Sequence, residues 1–339
     1  MFQGHGDDGY LHGQKLAADF STNVWYGGAP AGLKEHLCAN WENVQRYPEV
    51  LAESLTEKIA LSYHFKAENI LVTNGSTESI YLVAQAYQNQ KTTITIPAFA
   101  EYEDACKMFG HQISFLDWSE LKLNTALKAT AELLFICNPN NPTGAVFTDL
   151  EPLIKKHPHI LFVVDEAFIE FTLSLTSVIT LIEKYSNLIV LRSMTKAYAI
   201  PGLRLGYIAA NAALIKRLKS FKLPWSVNAM AIAAGHFIFD HQQTIQIPLR
   251  ELLADQADFV KDLSTTGLTV YTGHTHFFLA RTNLQTAAAL KQFLLKEFNI
   301  LIRNADNFRG LTNQHIRIAT LSKNKNQLLI NALAEWKHI

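Results

Sequence analysis

Lys196 is the residue of this sequence best placed for covalent chemistry. It closes the segment Ser193-Met-Thr-Lys196, which follows an apolar run, NLIVL, at positions 187–191. Such a run predicts a buried strand, so the lysine would lie just beyond the strand's end. Partial burial and cationic neighbours favour the neutral amine of a lysine, and a neutral amine forms Schiff bases with aldehydes.

Arg204, eight residues after Lys196, adds a second chemical function. It lies between Gly202 and Gly206. Glycines let a backbone pass close to a ligand, and a guanidinium group suits bidentate phosphate binding. A lysine for an aldehyde and an arginine for a phosphate together indicate one ligand, pyridoxal 5'-phosphate (PLP).

The segment from Ser193 to Arg204 has two other interpretations. A strand end with an exposed lysine and a surface arginine is the more common explanation for either residue alone. The segment from Ser193 to Lys196 also matches the S-x-x-K pattern of serine acylases. That class also needs S-D-N and K-T-G elements, and neither occurs in the chain.

A second candidate anion site follows the predicted strand at 69–73. The chain turns there through Gly75, Ser76 and Thr77 into an apolar helical stretch at 80–87. The N–H groups and the positive dipole end of such a helix point at the turn and favour an anion. An ordinary helix cap at Ser76 or Thr77 would produce the same sequence.

Two more polar residues follow predicted strands. Asn141 lies in a turn rich in helix breakers after the strand at 133–137, at the sheet edge where open α/β folds bind ligands. Asp165 follows the apolar strand at 160–164, and a carboxylate there is costly unless a cation meets it. A protonated pyridine nitrogen would serve, and so would a helix cap or a buried salt bridge.

The fold class is α/β, because predicted strands alternate with helices up to about residue 225. This pattern is typical of a mostly parallel sheet with helices on both faces. Beyond it, shorter strands and helices predict a smaller α+β lobe. We expect an N-terminal arm at 1–40 that joins the small domain, a large domain at 41–235 and a small domain at 236–339.

Composition narrows the function and the compartment. The 339 residues carry 30 basic and 30 acidic side chains, so charge gives no reason to expect nucleic acid or a membrane as partner. Three scattered cysteines favour reduced thiols in a cytoplasmic protein. The histidine pairs at 157/159 and 274/276 are interpreted as surface or loop residues, and no metal site is expected.

Together and in this order, these motifs resemble the class I/II aminotransferase superfamily, the fold type I PLP enzymes. The resemblance covers nearly the whole chain, from Asn23 to the last helix. It implies that Lys196 forms the Schiff base and then shuttles the proton, and that Asp165 keeps the pyridine nitrogen protonated. Asn141 would donate to the 3-oxygen of the ring, and Phe99 or, alternatively, Tyr102 would stack on the ring.

The same resemblance assigns the remaining ligands. Tyr47 would reach the cofactor phosphate of a neighbouring subunit, which implies a homodimer. Arg317 would bind the substrate α-carboxylate, with Asn23 also at the substrate. The cofactor phosphate would be held by Gly75, Ser76, Thr77, Ser193, Thr195 and Arg204.

Within the superfamily, the chain is most similar to the threonine-phosphate decarboxylases of cobalamin biosynthesis, with the histidinol-phosphate aminotransferases close behind. The similarity includes Phe168, where aminotransferases usually carry a tyrosine that binds the 3-oxygen. It implies a small phosphorylated amino acid or amine as substrate. His5, Arg303 and Arg309 are the candidates to grip its phosphate. Related transcription regulators carry a DNA-binding domain before the arm, and we expect none here.

Overall fold

A seven-stranded sheet forms the centre of the computed structural model, which describes residues 8–11, 15–123, 125, 127 and 131–336. After a short strand in the arm, β1 (Ala18–Asp19), its strands are β2 (Ile70–Thr73), β3 (Lys91–Ile96), β4 (Gln112–Asp117), β5 (Leu133–Cys137), β6 (Leu161–Asp165), β7 (Leu188–Ser193) and β8 (Gly206–Ala210). Their order is β2-β8-β7-β6-β5-β3-β4. Only β8 runs antiparallel to its neighbours. The prediction of a mostly parallel sheet is confirmed.

Helices cover both faces of this sheet because apolar side chains alternate along each strand. Leu134 and Ile136 of β5 belong to one core, and Phe135 and Cys137 belong to the other. The first core lies against α1 (Leu33–Ala39), α2 (Glu53–Ser62), α5 (Leu150–Lys156) and α7 (Ala229–Asp240); the second lies against α3 (Gly75–Ala86), α4 (Glu101–Met108) and α6 (Ala212–Lys219).

The C-terminal part forms a smaller lobe with its own core. Its elements are α8 (Leu249–Leu263), β9 (Leu268–Tyr271), β10 (Phe277–Thr282), α9 (Ala287–Phe298), β11 (Ile300–Leu301), β12 (Arg303–Asn304), β13 (His315–Ala319) and α10 (Lys323–Trp336). An antiparallel sheet has the order β12-β13-β10-β9, and β11 pairs in parallel with β1 of the arm. Ile238, beyond the expected boundary at 235, and Leu33 of the arm both pack into the large core, so the division at 235 and the assignment of the arm to the small domain stay predictions.

Candidate active site

A cavity of about 260 Å³ lies between the two lobes, at the carboxyl ends of β5, β6 and β7. Open parallel sheets bind ligands at this edge because the loops after the strands converge there. The cavity wall includes nine of the residues given a role from the sequence: Asn23, Ser76, Phe99, Tyr102, Asn141, Asp165, Lys196, Arg303 and Arg317.

Asp165 ends β6 as a carboxylate that is only 4% exposed. Its Oδ1 accepts the N–H of Ala167 at 2.9 Å, and its Oδ2 accepts the hydroxyl of Tyr102 at 2.7 Å. Burial raises the pKa of the Asp165 carboxyl, while these two bonds and the charge of Lys196 oppose the rise. A buried carboxylate held in this way suits a ligand that presents a protonated nitrogen.

Lys196 enters the cavity from the loop that follows β7. The side chain is partly buried, and the backbone carbonyl accepts the N–H of Trp25 at 2.9 Å. This bond ties the N-terminal arm to the lysine loop, and the arm residues Asn23 and Val24 line the same cavity as Lys196.

The turn into α3 forms a cradle that Arg204 closes. Gly75 has φ of +74°, and a Cβ added there would lie 2.5 Å from an Arg204 guanidinium nitrogen. The backbone at Gly206 also leaves no room for a side chain, since a Cβ there would lie 2.9 Å from the backbone nitrogen of Ser76. The first N–H groups of α3 lack intrahelical partners, so this glycine-lined turn suits an anion.

Two hydroxyls lie beside this cradle. Ser193 pairs with Gly206 across the β7–β8 ladder, and its Oγ is 2.8 Å from the Oγ1 of Thr195. Both residues are buried. Thr77 follows Ser76 in the first turn of α3. Of the six predicted phosphate residues, Ser76 lies in the cavity wall, and the structure groups the others around it through the close approach of Gly75 to Arg204 and the pairing of Ser193 with Gly206.

Arg317 lies at the opposite, small-lobe wall. One guanidinium nitrogen donates to Asn141 Oδ1 at 2.8 Å, and another donates to the carbonyl of Ser21 at 2.5 Å. The amide nitrogen of Asn141 is thus the group left for a ligand. Arg317 Nε and Asn23 Nδ2 are buried donors without a hydrogen-bond partner in the described part of the chain. Unpaired buried donors are costly, and an anionic ligand would satisfy them.

Arg303 is a second buried guanidinium in the same wall. It is 6% exposed and donates to the carbonyl of Asn304 and to Asn307 Oδ1. Burial lowers the pKa of Arg303 to about 10. Burial and the charge of Arg303 together lower the pKa of Arg317 to about 9. Two such cations make this wall a site for anions.

The two aromatic candidates have different positions. Phe99 lies in the cavity wall and meets Tyr102 edge to face at 6.2 Å. Tyr102 also lines the cavity, but it is 1% exposed, and its ring stacks on Phe135 while its hydroxyl donates to Asp165. Phe99 is therefore the residue that can present a ring face. Phe168 also lines the cavity and packs against Phe277 at 4.8 Å.

Two predicted residues, Tyr47 and Arg309, are not part of the cavity wall, and a third cannot be placed. Tyr47 is 84% exposed beside Trp225 and is not part of the cavity wall. Arg309 forms a surface salt bridge with Glu103, at 2.6 and 2.8 Å, so the structure does not support it as a phosphate ligand. His5 lies outside the described residues.

His276 corrects one sequence interpretation. It is not a surface residue but is 1% exposed, packed on Phe171 at 3.8 Å between ring centroids. Its Nε2 lies 3.1 Å from the carbonyl of Asn23, and burial lowers its pKa to about 3. The neutral ring therefore donates to Asn23. Neither this contact nor the one between Tyr102 and Asp165 has a local sequence signal, because the partners are distant in the chain.

The residues present fit PLP. The cradle accepts a phosphate, Asp165 suits a pyridine nitrogen, and Lys196 supplies the amine for the aldehyde. The fold and the site define a PLP-dependent enzyme of fold type I.

Comparison with known proteins gives the family. The profile described as aminotransferase class I and II matches residues 20–333, and the chain belongs to this family. It is 34% identical to a threonine-phosphate decarboxylase of Salmonella typhimurium, over 93% of this chain and 90% of that one. It is 33% identical to a histidinol-phosphate aminotransferase of Caldanaerobacter subterraneus, over 86% and 85%. The crystal structure of L-threonine-O-3-phosphate decarboxylase from Porphyromonas gingivalis superposes with a TM-score of 0.92 at 39% identity, covering 95% of this chain and 100% of that one.

Proposed function

We propose that this protein is a PLP-dependent decarboxylase of L-threonine O-3-phosphate. The observation that carries the proposal is the pair of buried guanidinium groups, Arg303 and Arg317, in one cavity wall. A phosphorylated amino acid carries both a carboxylate and a phosphate, so one substrate would neutralise both cations. The similarity to two threonine-phosphate decarboxylases supports this choice.

Histidinol-phosphate transamination is the alternative, favoured by the 33% identical relative. Histidinol phosphate has a phosphate but no carboxylate. Histidinol phosphate would pair with only one of the two arginines, and the other would pair with the carboxylate of a second substrate. The decarboxylase substrate uses both at once.

The residues of the chain divide the work of holding the cofactor. Lys196 Nζ would bind its aldehyde carbon, Asp165 would hold the proton on its ring nitrogen, and Asn141 would donate to its 3-oxygen through the amide nitrogen. Phe99 would cover a ring face. The phosphate would be bound by Gly75, Ser76, Thr77, Ser193, Thr195 and Arg204. When bound, PLP supplies an electron sink for the pair released at Cα.

The substrate residues would decide which bond to Cα breaks. The bond held perpendicular to the cofactor ring is the one activated. Arg317 and Asn23 would hold the carboxylate, while Arg303 would fix the phosphate and so set the rotation about Cα. With the substrate oriented in this way, CO2 would leave from Cα, and Lys196 would return a proton to Cα to give an aminopropanol phosphate.

We further propose a homodimer, because Tyr47 lies outside the cavity of its own subunit and is free to reach a partner's cofactor. A cytoplasmic location is supported by three free thiols, Cys38, Cys106 and Cys137. No helix in the described ranges has the length and apolarity to cross a bilayer. The activity would belong to cobalamin biosynthesis, as the family resemblance implies.

Kinetics of Arg303→Met test the substrate assignment. The variant should raise KM for threonine phosphate at least tenfold and change the weak reaction with unphosphorylated threonine far less. Arg309→Met is the matched control, because that arginine pairs with Glu103 outside the cavity. Equal losses for both substrates in Arg303→Met would remove Arg303 from the phosphate site.

A further inference from the structure

Glu78 places a carboxylate in the first turn of α3, next to the turn at 75–77. Its Oε2 accepts the backbone N–H of Asn74, the residue at the N-cap position of the helix. This bond holds the entry of the chain into the cradle. The same carboxylate would repel a phosphate dianion in the cradle unless its charge is cancelled.

Lys222 meets that carboxylate from a distant part of the sequence. Its ammonium group lies 3.0 Å from both oxygens of Glu78 and also donates to Ser226 Oγ. The Lys222 side chain is 0% exposed, whereas that of Glu78 is 21% exposed. A buried ammonium with all three donors engaged has a fixed position.

The segment at 222–226 is also anchored to the cradle by a second bond. Asn74 donates its side-chain amide to the carbonyl of Ser226 at 2.6 Å. Asn74 therefore contacts Glu78 through its backbone and the Lys222 segment through its side chain. Burial lowers the pKa of Lys222, and the charge of Glu78 opposes that shift.

We propose that Lys222 is a positioning residue for cofactor binding: it neutralises Glu78, so that Glu78 can brace the turn at 75–77 without repelling the cofactor phosphate. The proposal rests on the proposed PLP site. It assigns Lys222 a task directed at the phosphate and not at the ring. The loss of Lys222 should therefore weaken the binding of PLP but not the binding of pyridoxal, the same molecule without its phosphate.

The experiment measures dissociation constants of PLP and of pyridoxal for the cofactor-free full-length chain and its variants. Lys222→Met should weaken PLP binding roughly ten- to a hundredfold and leave pyridoxal binding within about twofold. The double variant Lys222→Met/Glu78→Gln should recover most of the loss, because the uncompensated charge is gone. Lys184→Met is the matched control, since Lys184 pairs with Glu151 on the surface.

Glu78→Gln alone keeps the test decisive if Lys222→Met does not fold. Its amide oxygen still accepts the Asn74 N–H, and the unopposed Lys222 should tighten PLP binding without changing pyridoxal binding. Equal losses of PLP and pyridoxal in Lys222→Met, no recovery in the double variant, or weaker PLP binding in Glu78→Gln would each overturn the proposal. If the unmodified chain does not bind PLP at all, the proposed function itself fails.

Discussion

Arg303 and Arg317 are direct neighbours across the β12–β13 ladder, where their Cα atoms pair, and both side chains are buried in the cavity wall. Like charges opposite each other destabilise a sheet unless an anion joins them. The hydrogen-bond acceptors of both groups are neutral carbonyl and amide oxygens. The charges of Asp8 and Asp306 act on Arg303, and that of Asp19 acts on Arg317, without a hydrogen bond to either guanidinium among the residues described. The two neighbouring cations therefore support a substrate that carries two anionic groups.

Arg317→Lys should lower kcat/KM for threonine phosphate roughly ten- to a hundredfold, because an ammonium cannot replace the planar guanidinium fork. The substitution removes the bond to Asn141 Oδ1 or the bond to the carbonyl of Ser21. Steady-state kinetics test the loss. The absorbance of bound cofactor should also shift as Asn141 reorients, and an unchanged spectrum with unchanged kinetics would exclude the assigned role.

His276 predicts a dependence of stability on pH. Its folded pKa, about 3, is below the ordinary value of 6.5, so the folded state resists protonation. The contribution of His276 is fully present above pH 6.5 and is lost as pH falls toward 3, by about 1.4 kcal/mol per pH unit. Urea unfolding should show a shallower acid loss in His276→Gln than in the unmodified protein.

The exposed His159 provides the control for that measurement. His159→Gln should leave the acid slope unchanged. Equal slopes for His276→Gln and the unmodified protein would show that His276 is not the group responsible.

Phe168→Tyr should restore a donor for the cofactor 3-oxygen. A new hydrogen bond is worth about 1 kcal/mol, so the pH at which the bound cofactor changes colour should fall by about 0.7 unit. CO2 release should be largely retained, because Phe168 is given no part in proton transfer. Spectral titration measures the shift, and a rise in the transition pH would contradict this reasoning.

The homodimer proposal predicts complementation between inactive variants. Tyr47→Ala and Lys196→Ala should each lose activity, and mixed dimers should regain part of it through one intact composite site. The expected recovery is up to about a quarter of the unmodified activity in an equal mixture, by random assortment of subunits. No recovery despite verified subunit exchange would show that the sites are not shared.

The sequence alone predicted the strands that carry the site, because β5, β6 and β7 each contain an uninterrupted apolar run. These runs lead into the segments that contain Asn141, Asp165 and Lys196. It did not predict β8, since Gly206–Ala210 is short and follows a glycine-rich loop. It also missed α4, where charged and uncharged residues are mixed and no large aliphatic side chain is buried. The sequence also did not separate β11 from β12, which are distinct strands because β11 pairs with β1 and β12 pairs with β13.

Side-chain partners in the site were harder to predict. The sequence could not show that Arg309 pairs with Glu103, 206 residues away, or that Tyr102 donates to Asp165, 63 residues away. Those contacts depend on how distant elements pack against each other, and the spacing of residues along the chain does not reveal this packing.

CO2 release from L-threonine O-3-phosphate tests the central claim most directly. The PLP-loaded protein, incubated with this substrate and no 2-oxo acid, should release one CO2 and form one aminopropanol phosphate per substrate consumed. In parallel, histidinol phosphate with 2-oxoglutarate should give no glutamate. Absence of CO2 together with glutamate formation in the second reaction would contradict the decarboxylase proposal and establish the aminotransferase in its place.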